Sequence, residues 1–208
     1  TTHWYYLEDL LEREPSMRHV PDRRMVEDRG VVTTTGITAS IPAMLTLVEA
    51  IAGRDKAREV ADDLGTRSWD TAHDSDAFGL TREFATTVLG NRLAFWKRES
   101  VGIELGPGVD EVSLALLADA WSRTYRSSVT PIPAAAQVVV SRGGVRIVPE
   151  RGNGEDASPH GADLRLRPGP TPVAALDETL TRIGARYGDR TARLVATQME
   201  YPRQRIAR

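Results

Sequence analysis

The sequence predicts an α/β protein, and three observations carry that prediction. Runs rich in β-branched residues, Val31-Val32-Thr33-Thr34-Thr35 and Val101-Gly102-Ile103-Glu104-Leu105, read as strands. Apolar residues elsewhere recur at helical spacing, as at Met44, Leu47, Val48 and Ile51. Across 208 residues, 40% hydrophobic and 27% charged content is that of an ordinary globular chain, long enough to bury a core.

Taken in order, Thr1 to Leu11 opens β-rich and aromatic and then turns helical, with Leu7, Leu10 and Leu11 on one face. Arg24 to Asp28 is a short strand ending at the turn signal Arg29-Gly30, and Val31–Thr35 follows as another strand. Met44, Leu47, Val48 and Ile51 form the buried stripe of a helix that Gly53 ends. Ala57, Val60, Ala61 and Leu64 give a second helix, and Gly65 to Phe78 reads as loop. Phe84 to Phe95 is helical. A strand at Val101–Leu105 turns at Gly106-Pro107-Gly108 into a helix from Asp110 to about Tyr125, with Leu114, Leu117, Ala118, Trp121 and Tyr125 on one face. Val138–Val140 and Val145–Val148 flank Gly143-Gly144 as a hairpin. The stretch from about 150 to 172 is rich in Gly, Pro, Asp and Ser and reads as a long exposed loop. A helical pair around Gly188 closes the chain.

Composition excludes several classes. A net charge of −2, with Arg interleaved among Asp and Glu, leaves no electrostatic footprint for nucleic acid or an anionic membrane. There is no cysteine, so these residues hold no disulfide, thiolate metal site or cysteine nucleophile. No apolar run approaches the ~20 residues that span a bilayer. The chain opens on Thr1 in mid-pattern, so a fragment or a processed product is expected. No compartment is identified; the cytoplasm is the working expectation, and export stays open.

A shift of 135 positions places Leu45 on Leu180, Val48 on Ile183 and Gly53 on Gly188. It also places Ala57-Arg58-x-Val60-Ala61 on Ala192-Arg193-x-Val195-Ala196 and Leu64 on Met199. An internal duplication is the expected cause.

Thr2-His3-Trp4, followed by Asp28-x-Gly30 and Val31-Val32-Thr33-Thr34-Thr35-Gly36-Ile37-Thr38-Ala39, resembles the DJ-1/ThiJ/PfpI superfamily of class I glutamine-amidotransferase-like proteins. The branch resembled is that of isocyanide-hydratase-like proteins and amidase-like transcription regulators. The resemblance implies a flavodoxin-like parallel sheet with helices on both faces, of which residues 1–98 are the C-terminal half of one domain. Val101-Gly-Ile-Glu-Leu-Gly-Pro-Gly108-Val-Asp110-Glu111 resembles the family's opening strand and acid-bearing turn, and Glu200-Tyr201-Pro202 the end of its last helix. Residues 99–208 are therefore expected to be a degenerate, shortened second copy, standing in for a dimer partner.

The resemblance assigns His3 on the Thr-His-Trp strand as the catalytic proton carrier. It places Thr35 and Gly36 on the loop bordering the substrate pocket. The nucleophilic cysteine would lie upstream of Thr1, and the chemistry would be that of an activated thiol, with no cofactor or metal. Two functions follow: a hydratase-, hydrolase- or glyoxalase-like enzyme of small molecules, or a non-catalytic ligand-sensing or regulator-type module. Whether the chain is an enzyme stays open. The partners implied are a small-molecule ligand or substrate, the upstream segment of the same protein, and a second copy in a homodimer. Neither nucleic acid nor a membrane segment is expected.

Other residues have plainer readings. Asp110 and Glu111 suit a helix cap better than catalysis without a thiol. His19, His73 and His160 read as surface residues, and His73 with Asp70, Asp74 and Asp76 lacks regular ligand spacing. Thr1 reads as a strand residue, not an N-terminal nucleophile. Trp69, Phe95, Trp96 and Trp121 read as core or interface anchors.

Overall fold

The structure, a computed structural model, describes residues 1–133, 138–148, 162–169 and 171–202. It is mixed α/β, and its contacts define two compact units, Thr1–Ala85 with Ala196–Arg208, and Thr86–Val195. Among the described residues no helix is long and apolar enough to cross a membrane. His160 and most of the expected 150–172 loop lie outside the described residues.

The first unit contains α1 (Trp4–Arg13), β1 (Met25–Asp28), β2 (Val31–Thr34), α2 (Ser40–Ala52), α3 (Arg54–Leu64) and the start of α4 (Arg82–Leu93). The Thr-His-Trp segment is not a strand. Thr1–His3 stands outside any sheet, and Trp4 already begins α1. Among the described residues no strand pairs with it, and the next N–H groups close locally: Tyr5 N donates to His3 Nδ1 and Tyr6 N to His3 O. β1 and β2 pair antiparallel, Met25 facing Thr34 and Asp28 facing Val31. Arg29 (φ 53°) and Gly30 (φ 78°) make the two-residue turn between them.

α2 and α3 meet at Gly53, which ends one helix and caps the next at φ 87°, ψ 166°. The expected stripe of α2 is not its buried face. Met44, Leu47 and Ile51 are 57%, 48% and 77% exposed, whereas Pro42 and Leu45 are buried. Leu45 lies one residue, about 100° of helix, from Met44. The packing side is the one carrying Leu45, and α3 presents Ala57 and Ala61, both fully buried, as its own inner face.

The second unit adds the rest of α4, β3 (Glu99–Leu105), α5 (Glu111–Ser122), β4 (Ser127–Pro133), β5 (Val139–Val140), β6 (Arg146–Ile147), β7 (Leu164–Leu166), α6 (Pro172–Tyr187) and α7 (Asp189–Met199) as far as Val195, the last residues of α7 belonging to the first unit. Its sheet is parallel in the order β4-β3-β7. β5 and β6 form the expected hairpin around Gly143-Gly144. β4 was hidden by Pro131 and Pro133, which an edge strand tolerates because it needs only one side of the ladder. β7 lies inside the stretch expected to be loop, where three residues pair with Val101–Ile103.

Side-chain alternation gives this sheet two unlike faces. Val101, Ile103, Leu105 and Leu166 point to one side and are buried. Glu104, Thr130, Ile132, Arg165 and Arg167 point to the other and keep some exposure. Gly102, on that second side, is covered by Ile132, whose Cδ1 stands 2.2 Å from where a Cβ would be. α5 buries Ser113, Leu116, Leu117, Ala120 and Trp121, and α6 buries Leu176, Leu180 and Ile183. Leu117 and Trp121 fall on the expected face of α5. Leu114 and Ala118 are only half-buried, because the wall is centred on Leu117 and Trp121 and takes Leu116 and Ala120 instead.

α6 and α7 join at Gly188, φ 90° and ψ 154°, close to the Gly53 conformation. The hydrogen bonds also correspond: Gly53 N to Glu49 O beside Gly188 N to Gly184 O, and Ala57 N to Gly53 O beside Ala192 N to Gly188 O. Neither glycine has an atom within 4 Å of an added Cβ, so a side chain there meets strain and no clash. Gly53→Ala and Gly188→Ala should therefore each cost about 1–3 kcal/mol in urea unfolding. A cost near zero at either site would show that its backbone relaxes out of this conformation.

Candidate functional site

A dense polar arrangement in the first unit is centred on a residue outside the Thr-His-Trp motif, Glu200. It follows the last residue of α7 and has φ 50°, a left-handed conformation that favours glycine. Tyr201 N donates to Ala196 O and Glu200 N to Thr197 O, so the chain leaves the helix in a tight C-terminal cap. A non-glycine residue there costs about 1–3 kcal/mol, and the side chain supplies what offsets it.

The Glu200 side chain is 2% exposed. Its Oε1 accepts from Trp4 N at 2.8 Å and its Oε2 from Gly36 N at 2.8 Å. Trp4 N is an orphan donor of the first turn of α1, where the partial positive charge of a helix N-terminus favours a carboxylate. Gly36 is required for space: a Cβ there would stand 2.5 Å from the Glu200 Cβ. The glycine thus admits the carboxylate to the backbone.

The carbonyls at the end of α7, which have no partners within the helix, are met by the same segments. Trp4 Nε1 donates to Thr197 O at 2.9 Å, and Thr38 Oγ1 reaches Met199 O at 3.2 Å and Glu200 O at 2.9 Å. His3 Nε2 lies 3.0 Å from Gln198 O. Because His3 Nδ1 accepts from Tyr5 N, the network assigns the proton of the neutral ring to Nε2, which donates to Gln198 O. Both nitrogens of the expected catalytic histidine are therefore engaged, one as the α1 cap and one on the end of α7. Its Nε2 is 3.9 Å from Glu200 Oε1.

His73, expected at the surface, has its side chain turned inward instead. Its side chain is 5% exposed, with Nε2 3.4 Å from Glu200 Oε2 and its ring stacked on Phe78 at 5.2 Å. A short bridge holds it there: Arg24 N donates to Thr71 O and His73 N to Asp22 O, while Asp22 Oδ1 accepts from Ser75 N. Burial lowers the His73 pKa below its usual value; the Glu200 charge opposes this and the Arg24 charge adds to it. Thr35 stands next to Gly36, with its hydroxyl oxygen buried and unpaired among the described residues.

The structure thus brings His3 and Gly36 together around Glu200 and His73, with Thr35 adjacent in the chain. Sequence reasoning took Glu200 only as part of a helix end, without a role at the site, and misplaced His73. The available signal for Glu200 was an acid at the post-helix position where glycine is favoured, followed by Tyr201-Pro202. Among the described residues no three His, Cys, Asp or Glu side chains converge as a metal site. Asp110 caps α5, accepting from Ser113 N at 2.6 Å, and Glu111 accepts from Gly143 N at 3.2 Å. The chain matches no protein-family model and no curated protein.

Two outcomes follow from this geometry. Glu200→Ala leaves Trp4 N and Gly36 N without their acceptor, at about 1–3 kcal/mol for each donor, and alanine, which keeps a Cβ at φ 50°, relieves none of the backbone strain. An alanine variant as stable as the parent in urea would show that water replaces the carboxylate without loss. The second outcome concerns pH. The folded chain resists protonating His73, so as pH falls below about 6.5 the unfolded chain takes up a proton that the folded one refuses. The stability contributed by His73 is whole above that pH and is lost as pH falls from there through the lower folded value. Urea midpoints measured across this range should drop for the parent and drop less for His73→Gln; equal slopes would assign the titration to another group.

Proposed function

We propose that the chain is part of a ThiJ/PfpI-type protein that binds a small molecule, in the ligand-sensing rather than the catalytic mode. In this proposal residues 1–98 are the C-terminal half of one flavodoxin-like domain, and residues 99–208 a shortened second copy that has lost its chemistry. The parallel β3–α5–β4 unit and the matched turns at Gly53 and Gly188 support it.

One observation carries the choice of mode. His3 spends both ring nitrogens on backbone partners, and Glu200 already bridges the donors Trp4 N and Gly36 N. A substrate oxygen using those donors would first have to displace a buried carboxylate, and His3 would have to leave its cap to move a proton. A ligand bordered by Thr35 and Gly36 makes no such demand, and the buried Thr35 hydroxyl is a polar group it can satisfy. The hydratase-, hydrolase- or glyoxalase-like reading of the same resemblance requires a thiol from outside these residues and a His3 released from both bonds.

Because the catalytic reading draws its thiol from outside these residues, the test uses the chain extended upstream of Thr1: incubation with aldehydes, isocyanides and amides, followed by mass spectrometry, should return each compound unchanged. His3→Gln should lower stability by about 1–2 kcal/mol through the lost cap and tether, without touching any turnover. Product formation that His3→Gln abolishes would overturn the sensing mode and restore the catalytic one.

A further inference from the structure

The second unit contains a cleft of about 710 Å³ at the carboxyl ends of its strands, a volume suited to a metabolite. The chain leaves β3 toward β4 on one side, and β7 pairs with β3 on the other. The crevice therefore lies where strand order turns, the position at which open parallel sheets receive ligands. Leu105 and Ile132 give it an apolar floor, and Gly106-Pro107-Gly108 forms one wall. An added Cβ on Gly106 or Gly108 would meet nothing within 4 Å, so a ligand can approach the backbone of that turn.

The opposite wall is cationic. Arg165 and Arg167 alternate along β7 and its continuation, on the face away from buried Leu166. Glu104 accepts from Arg167 Nε at 2.5 Å, which fixes the guanidinium while its two terminal nitrogens keep donors in hand. Arg165 makes no ion pair among the described residues. The acids lining it are engaged: Glu104 with Arg167, and Asp110 with the Ser113 N–H. Arg142 also lines the cleft, its backbone pinned by Arg142 N to Val109 O and Gly108 N to Val140 O, and its charge helps keep Glu111 ionised. A concave site with committed acids and an uncommitted guanidinium fits an oxyanion better than a cation or a neutral sugar.

We propose that this cleft binds a small organic anion, whose phosphate or carboxylate oxygens are held by Arg165 and the free edge of Arg167. The site lies wholly in the second unit and does not depend on the role of His3 or Glu200.

Calorimetric titration of the 208-residue chain with inorganic phosphate, succinate and glucose tests it. Saturable binding of phosphate or succinate, but not glucose, is expected, and the tighter of the two names the oxyanion. Arg165→Gln should weaken it about tenfold or more, with Arg165→Lys in between because charge remains and the fork is lost. Arg29→Gln, a charge-matched change at a side chain 92% exposed in the first unit, should leave binding unaltered. Circular dichroism checks that each variant is folded. Absence of saturable binding, or equal weakening by Arg29→Gln, overturns the proposal.

Discussion

The carboxylate of Glu200 is the point on which the first unit depends, because segments far apart in sequence reach it directly. Trp4 N, Gly36 N and His73 Nε2 all lie within 3.4 Å of its two oxygens. A charge withdrawn from water this completely is costly unless its lone pairs are used, and both oxygens are used here. The same few residues satisfy a helix beginning and a helix end. The start of α1 gains an anion at its positive pole, and the last carbonyls of α7 gain donors from His3, Trp4 and Thr38. Gly36 and the left-handed Glu200 are conditions of that arrangement: one gives the carboxylate room, and the other aims it.

The two helix pairs show how a local device persists while its packing changes. Gly53 and Gly188 share a conformation and a hydrogen-bond pattern, and Leu45 and Leu180 are each 1% exposed. Beyond those positions the pairs diverge. At the positions of Leu47 and Ile51, the second pair has Arg182, bound to Glu178, and Arg186, bound to Glu99. Polar residues there are solvated or paired, whereas α2 leaves Leu47 and Ile51 exposed. Glycine geometry is set by neighbouring backbone and survives substitution around it. The outer face of a helix answers to whatever packs on it.

That distinction explains what could be read from the sequence. Turns and helix junctions were legible at Arg29-Gly30, Gly53, Gly143-Gly144 and Gly188, because their chemistry is local. Strand β3 was legible because Val101, Ile103 and Leu105 alternate with Gly102 and Glu104. The orientation of α2 and α5 was not, since periodicity marks an apolar stripe without saying which edge meets a wall. β4 and β7 were not, because a proline-bearing edge strand and a three-residue strand take their identity from β3. His3 was picked out by its motif, and the structure places its Nε2 3.9 Å from Glu200 Oε1. Its hydrogen bonds, which decide what it can do, come from Gln198, almost the whole chain away. The role of Glu200 was missed for the same reason: its importance lies in Trp4 and Gly36.

The two ends of β3 carry the same argument into the second unit. At the amino end, Glu99 takes two hydrogen bonds from Arg186, at 2.6 and 2.9 Å, and one from Tyr187 Oη at 2.5 Å. The Arg186 bonds hold the Glu99 carboxyl below its usual range, and burial, with the adjacent carboxylate, pushes Tyr187 up to about 12. Arg126 stacks on the Tyr187 ring, with Trp121 at its edge. The carboxylate there is saturated by neighbours fixed on α6, so that end has little to offer a solute. At the carboxyl end the turn is glycine-bearing, the acids are spent on backbone donors or on Arg167, and Arg165 is left uncommitted among the described residues.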